Sequence, residues 1–100
     1  MKQYKVLGKK GGEVTSSVTL HPGEVLDVEL QAREIKKSVF AAKLGIKPGH
    51  LSEGLHGKRH VSAAMALKLE TLLKISAEYW LRIQMQYDLQ IERDKMRNAA

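Results

Sequence analysis

Beyond residue 20 apolar positions recur every three or four residues; before it they do not. Val14, Ser16, Val18 and Leu20 alternate with Thr15, Ser17 and Thr19, and Tyr4-Lys5-Val6-Leu7 is a short β-favouring run ahead of the flexible Gly8-Lys9-Lys10-Gly11-Gly12. Residues 1–20 therefore read as an N-terminal β-hairpin or extended arm. A lone hairpin is marginal in water, so a disordered basic arm is the competing reading. Residues 21–97 read as one helical domain.

In that domain His21-Pro22-Gly23-Glu24 starts a first helix, with proline at its first position and Glu24 complementing its positive end. Val25, Leu26 and Leu30 form its inner face, and it is expected to fray near residues 32–34. Phe40, Ala41 and Leu44 mark a second helix, which Gly45 ends in the left-handed conformation. Ile46 follows as an apolar plug. Pro48 opens a short third helix whose Leu51 and Leu55 face inward, and Gly57 stops it before Lys58-Arg59. Ser62 caps a fourth helix that brings Met65, Leu69, Leu72 and Leu73 to the core, and Ser76 caps a fifth from Ala77 to about Arg97. The tail Glu92-Arg93-Asp94-Lys95 is expected to fray.

The fifth helix has two apolar faces, Trp80, Ile83, Tyr87 and Ile91 on one and Leu81, Met85 and Leu89 on the other. Either both are internal or one meets a partner. Aromatic residues concentrate at interface centres, so Trp80, Ile83, Tyr87 and Ile91 are expected to form a homodimer interface.

Two short helices joined by a glycine turn have the form of a helix-turn-helix, whose second helix offers its N-terminal residues to base edges. An ordinary helical hairpin shows the same periodicity, and charge separates the two. Lys36 to His60 holds six Lys/Arg (Lys36, Lys37, Lys43, Lys47, Lys58, Arg59) against Glu53 alone, a net +5 of the chain's formal +6. Such a concentration of cations suits a surface that displaces counterions from phosphates. The first helix segment is acidic, with Glu24, Asp27, Glu29 and Glu34 against Arg33, and is expected to face away from DNA.

Composition narrows the remaining classes. The 100 residues, 43% hydrophobic and 28% charged, suit a single globular domain, and the absence of cysteine excludes disulfides and thiolate chemistry. The opening MKQYKVLGKKGG lacks the apolar segment of a secretory signal, and runs such as Ala63 to Leu67 are too short to cross a bilayer. A cytoplasmic protein without membrane contact is expected. His56 and His60 have the spacing of a helical zinc pair, but Gly57 between them ends the helix, so no metal or other cofactor is expected. No P-loop, dinucleotide fingerprint or nucleophile elbow appears, and no enzyme activity is expected.

His21-Pro-Gly-Glu-Val-Leu26, Lys43-Leu-Gly-Ile46, Leu51-Ser52 with Gly57-Lys58-Arg59, Ala66-Leu67-Lys68-Leu69, Ser76-Ala-Glu-Tyr-Trp-Leu81 and Gln86-Tyr-Asp-Leu89 together resemble the HigA/VapI-type antitoxins. These belong to the XRE, or Cro and lambda-repressor-like, helix-turn-helix superfamily. The resemblance covers roughly residues 21–93. It implies an all-α, five-helix lambda-repressor-like DNA-binding domain that forms a homodimer and binds a palindromic double-stranded DNA operator upstream of its own operon. It further implies neutralisation of a RelE-like mRNA endonuclease toxin of the HigB type. Carried over by position, Lys47, Pro48, Gly49, His50 and Glu53 face bases, and Lys37, Ser38, Ser52, His56, Lys58 and Arg59 hold phosphates. Glu53 would accept from a cytosine amino group, or else act only as a surface charge that repels wrong sequences.

The chain departs from the family pattern at several positions. Lys36 stands where the family often has a capping Ser/Thr, so Ser38 is a candidate cap that would shift the helix start. Gly54 replaces a large apolar residue and Gly49 removes a reading side chain. Two alternatives remain: a stand-alone helix-turn-helix regulator, and a toxin-binding protein with only incidental DNA contact.

Overall fold

Five helices follow the order that the apolar spacing predicts: α1 (Pro22–Ala32), α2 (Lys37–Leu44), α3 (Pro48–Leu55), α4 (Ala63–Leu73) and α5 (Ala77–Ala99). The computed structural model describes residues 19–99; the hairpin or arm expected over residues 1–20 lies, save its last two residues, outside the described residues. Each helix contributes to one core. Leu26 and Leu30 of α1, Phe40, Ala41 and Leu44 of α2, Leu51 and Leu55 of α3, Ala66, Leu69 and Leu73 of α4, and Ala77 and Trp80 of α5 are buried together. Burying one large apolar side chain stabilises by about 1.5–3 kcal/mol, so these residues dominate the folding energy. Met65 and Leu72, expected inside, lie half-buried at the margin of this cluster.

The turns are set by the backbone. Gly45 takes the left-handed conformation (φ 78°, ψ 28°), and the Ile46 N–H donates to the Ala41 carbonyl at 3.0 Å, closing α2 and turning the chain into α3. Lys68 of α4 reinforces this corner by donating to the Leu44 carbonyl at 3.0 Å. At the far end of α1, Arg33 similarly donates to the Leu73 carbonyl at 3.0 Å.

Two local expectations give way. Ser38 does not cap α2: the helix starts at Lys37, with Lys36 in extended conformation as the N-cap and no side-chain cap bond. The preceding turn fixes that start, because the Ile35 N–H returns to the Leu30 carbonyl at 2.9 Å and Ile35 packs on the core. The tail of α5 stays helical to Ala99. Side-chain pairs three and four residues apart hold it, Gln90 to Asp94 at 3.1 Å, Lys95 to Glu92 at 3.5 Å, and Arg97 to Asp94.

The backbones of α1 and α3 approach closely at Gly23 and Gly54. A Cβ built at Gly23 would run into the Gly54 carbonyl oxygen, whereas a Cβ at Gly54 meets nothing within 4 Å. Gly54 borders a cavity of about 50 Å³ whose lining also includes Leu26, Leu44, Leu51, Met65 and Leu69. The two glycines therefore respond in opposite directions to one added methyl group. Gly23→Ala forces α3 outward and is expected to destabilise the fold by about 2–3 kcal/mol. Gly54→Ala is expected to stabilise it by about 1 kcal/mol through helix propensity. Thermal melts of the two variants check this, with Gly54→Ala raising the midpoint by about 4–8 °C.

Candidate nucleic-acid interface

Leu51 and Leu55 pin α3 to the core, which turns the intervening residues outward. Lys47, Pro48, Gly49, Ser52 and Glu53 are exposed on α3 and at its start, and Lys58 and Arg59 are exposed in the loop that follows. His50 is half-buried, lining the cavity beneath the helix. Lys37 and Ser38 are exposed at the start of α2, which packs against α3. Among the described residues Lys43, Lys47 and Lys58 make no salt bridge, so their charge faces solvent uncompensated. Lys37 lies 3.8 Å from Asp27 of α1, so not every acid of α1 is remote from the basic surface.

Two side chains on this surface are held in place. His56 Nδ1 lies 2.8 Å from the Ser52 carbonyl oxygen; since a carbonyl only accepts, this nitrogen carries the proton. Arg59 donates through Nε to Glu53 Oε1 at 2.8 Å. The sequence assigns these two residues to different targets, and the structure joins them. α3 ends at Leu55, so His56 and His60 do not share a helical face.

The loop carrying Lys58 and Arg59 is anchored at both ends. Gly57 lies against the His21 ring, where a Cβ would sit 3.5 Å from Cγ. At the other end the Val61 N–H donates to Gln84 Oε1 at 2.8 Å, and Gln84 donates to Asp88 at 3.0 Å. Asp88 also faces His60 at 3.3 Å. Gln84 is 6% exposed, a buried polar residue where an apolar one would be the simpler choice, which marks it as the clasp of this loop. Sequence reasoning missed His21 and Gln84. For His21 a signal was present, since Glu24 follows it at the interval of a capping box with histidine in the usual Ser/Thr position.

The face of α5 expected to dimerise does not look outward. Trp80 is fully buried in the core, and Tyr87 packs edge-on against His21 with ring centroids 4.7 Å apart. Ile83 is half-buried and only Ile91 of the four is exposed. Met85, Leu89 and Met96 are also exposed, and they follow the half-buried Leu81 on the other side of the helix. Trp80, expected at the interface, is thus a core residue, packed with Leu69 and Leu73 of α4 and the other buried side chains.

His21 couples this region to pH. Its Nδ1 accepts from the Gly23 N–H at 2.8 Å, which requires the neutral ring, and the Glu24 carboxylate accepts from the His21 N–H at 3.3 Å. Burial lowers its pKa below the ordinary 6.5, reinforced by His60 and opposed by Glu24 and Asp88. With the folded value depressed, the unfolded chain binds more protons between that value and 6.5. Stability is therefore full above pH 6.5 and falls as the pH drops toward the folded value. Urea unfolding is expected to show a lower midpoint at pH 5.5 than at 7.5, and His21→Asn, which keeps an acceptor without titrating, is expected to flatten that difference.

No family model matches the chain. Virulence-associated protein A' of Dichelobacter nodosus is 39% identical over 70 residues, 69% of this chain but 61% of that protein, so the match leaves more than a third of that relative uncovered. Virulence-associated protein I of the same organism is 33% identical over 78 residues, 76% of this chain and 72% of that protein. Among solved structures, antitoxin HigA of Pseudomonas aeruginosa, solved with the higBA promoter, superposes with a TM-score of 0.73 at 28% identity, covering 78% of this chain and 86% of that one. An addiction module antidote protein of the HigA family from Coxiella burnetii gives 0.73 at 30% identity, covering 80% and 88%.

Proposed function

The chain belongs to the HigA/VapI-type antitoxins of the XRE helix-turn-helix family, and from that we infer that it is a DNA-binding antitoxin which represses its own operon. The observation that carries the DNA half is the set of exposed lysines around α3, Lys43, Lys47 and Lys58, which make no salt bridge among the described residues, on a frame similar to that of an antitoxin solved with its promoter. In this reading α3 enters the major groove. Lys47, Pro48, Gly49, His50 and Glu53 lie nearest the bases, and Lys37, Ser38, Ser52, His56, Lys58 and Arg59 flank them toward the phosphates. A palindromic operator requires two copies, and the exposed Met85 and Leu89 beside the half-buried Leu81 on α5 form the surface that joins them.

The antitoxin half of the reading adds a RelE-like mRNA endonuclease of the HigB type as partner. Its support is the outer side of α1, where Leu20, Val25 and Val28 with Tyr79 form an apolar groove rimmed by Glu24 and Glu29, suited to a basic protein. Of the related proteins named above, two are an antitoxin and an antidote protein, which agrees with a binding role for this chain. No helix among the described residues is long and apolar enough to cross a membrane, and we place the protein in the cytoplasm with its operon.

Fluorescence anisotropy on DNA from upstream of its own gene, against a scrambled duplex at two salt concentrations, tests the reading. Selective binding that persists as salt rises is expected; weak, equal binding that vanishes with salt defeats it. Lys58→Ala is expected to weaken binding to both duplexes and reduce the salt slope by about 0.9, one phosphate contact. His50→Ala is expected to lower the preference for the upstream duplex more than affinity for the scrambled one. For the dimer, Leu89→Lys is expected to yield a folded monomer in analytical ultracentrifugation, and a variant that still sediments as a dimer excludes this face.

A further inference from the structure

We propose that Glu53 and Arg59 act as one reading unit, in which Glu53 positions the Arg59 guanidinium over the outer face of α3 to take a guanine of the operator. The inference rests on the DNA-binding reading above. It replaces the separate roles of cytosine acceptor for Glu53 and phosphate contact for Arg59.

The path of the chain creates the pair. After α3 ends at Leu55, Gly57 takes a left-handed φ of 77° and the Lys58 N–H donates back to the Glu53 carbonyl at 2.9 Å. The chain thereby doubles back along the last turn of α3, and Arg59 Nε reaches Glu53 Oε1 at 2.8 Å. Glu53 lies between the buried Leu51 and Leu55 with its side chain 52% exposed, so the tied guanidinium lies on the outward side of the helix. Lys58, beside it and without a salt bridge among the described residues, is left for the phosphates.

Charge and donor chemistry point the same way. Glu53 is the only acid between Lys36 and His60, and an unpaired carboxylate on that surface would repel phosphate. An exposed ion pair adds little to stability, so what the contact supplies is orientation of a long, otherwise free side chain. Only Nε is engaged. The Nη1 and Nη2 groups keep their N–H donors, whose parallel fork matches the O6 and N7 acceptors of guanine. Guanidinium held from behind by a carboxylate reads a base with less loss of side-chain freedom than one that swings unguided.

The test measures anisotropy on the upstream and scrambled duplexes across a salt series, with circular dichroism melts to confirm folding. Arg59→Ala is expected to cut the preference for the upstream duplex by about tenfold to a hundredfold, beyond the weakening on both duplexes that the unpaired Glu53 carboxylate causes. Glu53→Gln is expected to bind scrambled DNA more tightly, having lost a negative charge, and yet to discriminate less. The combined variant should discriminate no worse than Arg59→Ala alone, because the two residues act in series. Replacing guanines of the upstream duplex one at a time should penalise the wild type at a position to which Arg59→Ala is indifferent. If Arg59→Ala weakens both duplexes equally and lowers the salt slope by about 0.9, it is a phosphate contact and the unit does not exist. Equal tightening on both duplexes by Glu53→Gln makes Glu53 a plain surface charge, which also overturns it. A wild-type chain with no preference for the upstream duplex removes the DNA-binding reading itself, and the unit with it.

Discussion

The backbone contact between Gly23 and Gly54 sets the distance from α1 to α3, and the parts that surround α3 are placed by reference to it. Because no side chain fits between them, α1 serves as a flat floor for the outward helix. The N-cap of α1 then falls beside the end of α3, where the His21 ring takes Gly57 on one side and Tyr87 of α5 on the other. A polar ring does this better than an apolar one: its Nδ1 satisfies the Gly23 N–H in the same region, where an unmet donor would cost about 1–3 kcal/mol. Backbone approach, cap and loop position are thus one arrangement. Its weakness is that it depends on a neutral imidazole.

Around that floor the polar groups act as ties between helix ends. Lys68 holds the end of α2, Arg33 joins the ends of α1 and α4, and Gln84 holds the loop after α3. In each case a long side chain crosses between elements to a backbone group that the helix or loop geometry leaves without a partner. These ties explain why the exposed cations divide into two kinds. Those engaged by carbonyls or carboxylates shape the fold, while Lys43, Lys47 and Lys58 remain as surface charge near the helix-turn-helix.

Local rules made much of this legible. The left-handed Gly45, the caps Ser62 and Ser76, Pro48 at its helix start and the inward Leu51 and Leu55 each depend on a few neighbouring residues, and the structure has them as the sequence predicts. What was not legible depends on distant chain. Trp80 sits on one of two apolar stripes, and no periodicity tells which stripe meets the body. Gln84 looks like an ordinary surface residue until the loop arrives with an unpaired N–H at Val61. Arg59 and Glu53 are six residues apart, a spacing with no meaning on a helix, and they meet only because Gly57 reverses the chain. Ser38 misled because a good capping residue is no cap when an upstream turn fixes the helix start elsewhere.

The construction of α3 has a consequence for how recognition can change. An eight-residue helix with two glycines and no side-chain N-cap would not persist alone in water. Its conformation is imposed from behind, by Leu51 and Leu55 in the core, by the floor at Gly23 and by the closed turn at Gly57. Lys47, Gly49, Ser52 and Glu53 are all exposed and none of them belongs to the buried cluster. Substitutions there alter what the helix presents with little effect on whether it forms. The half-buried His50 is the exception, since it lines the cavity under α3 and joins the outer face to the packing beneath. A change of specificity is therefore cheapest at Gly49, Ser52 and the Glu53–Arg59 pair, and most expensive in stability at His50.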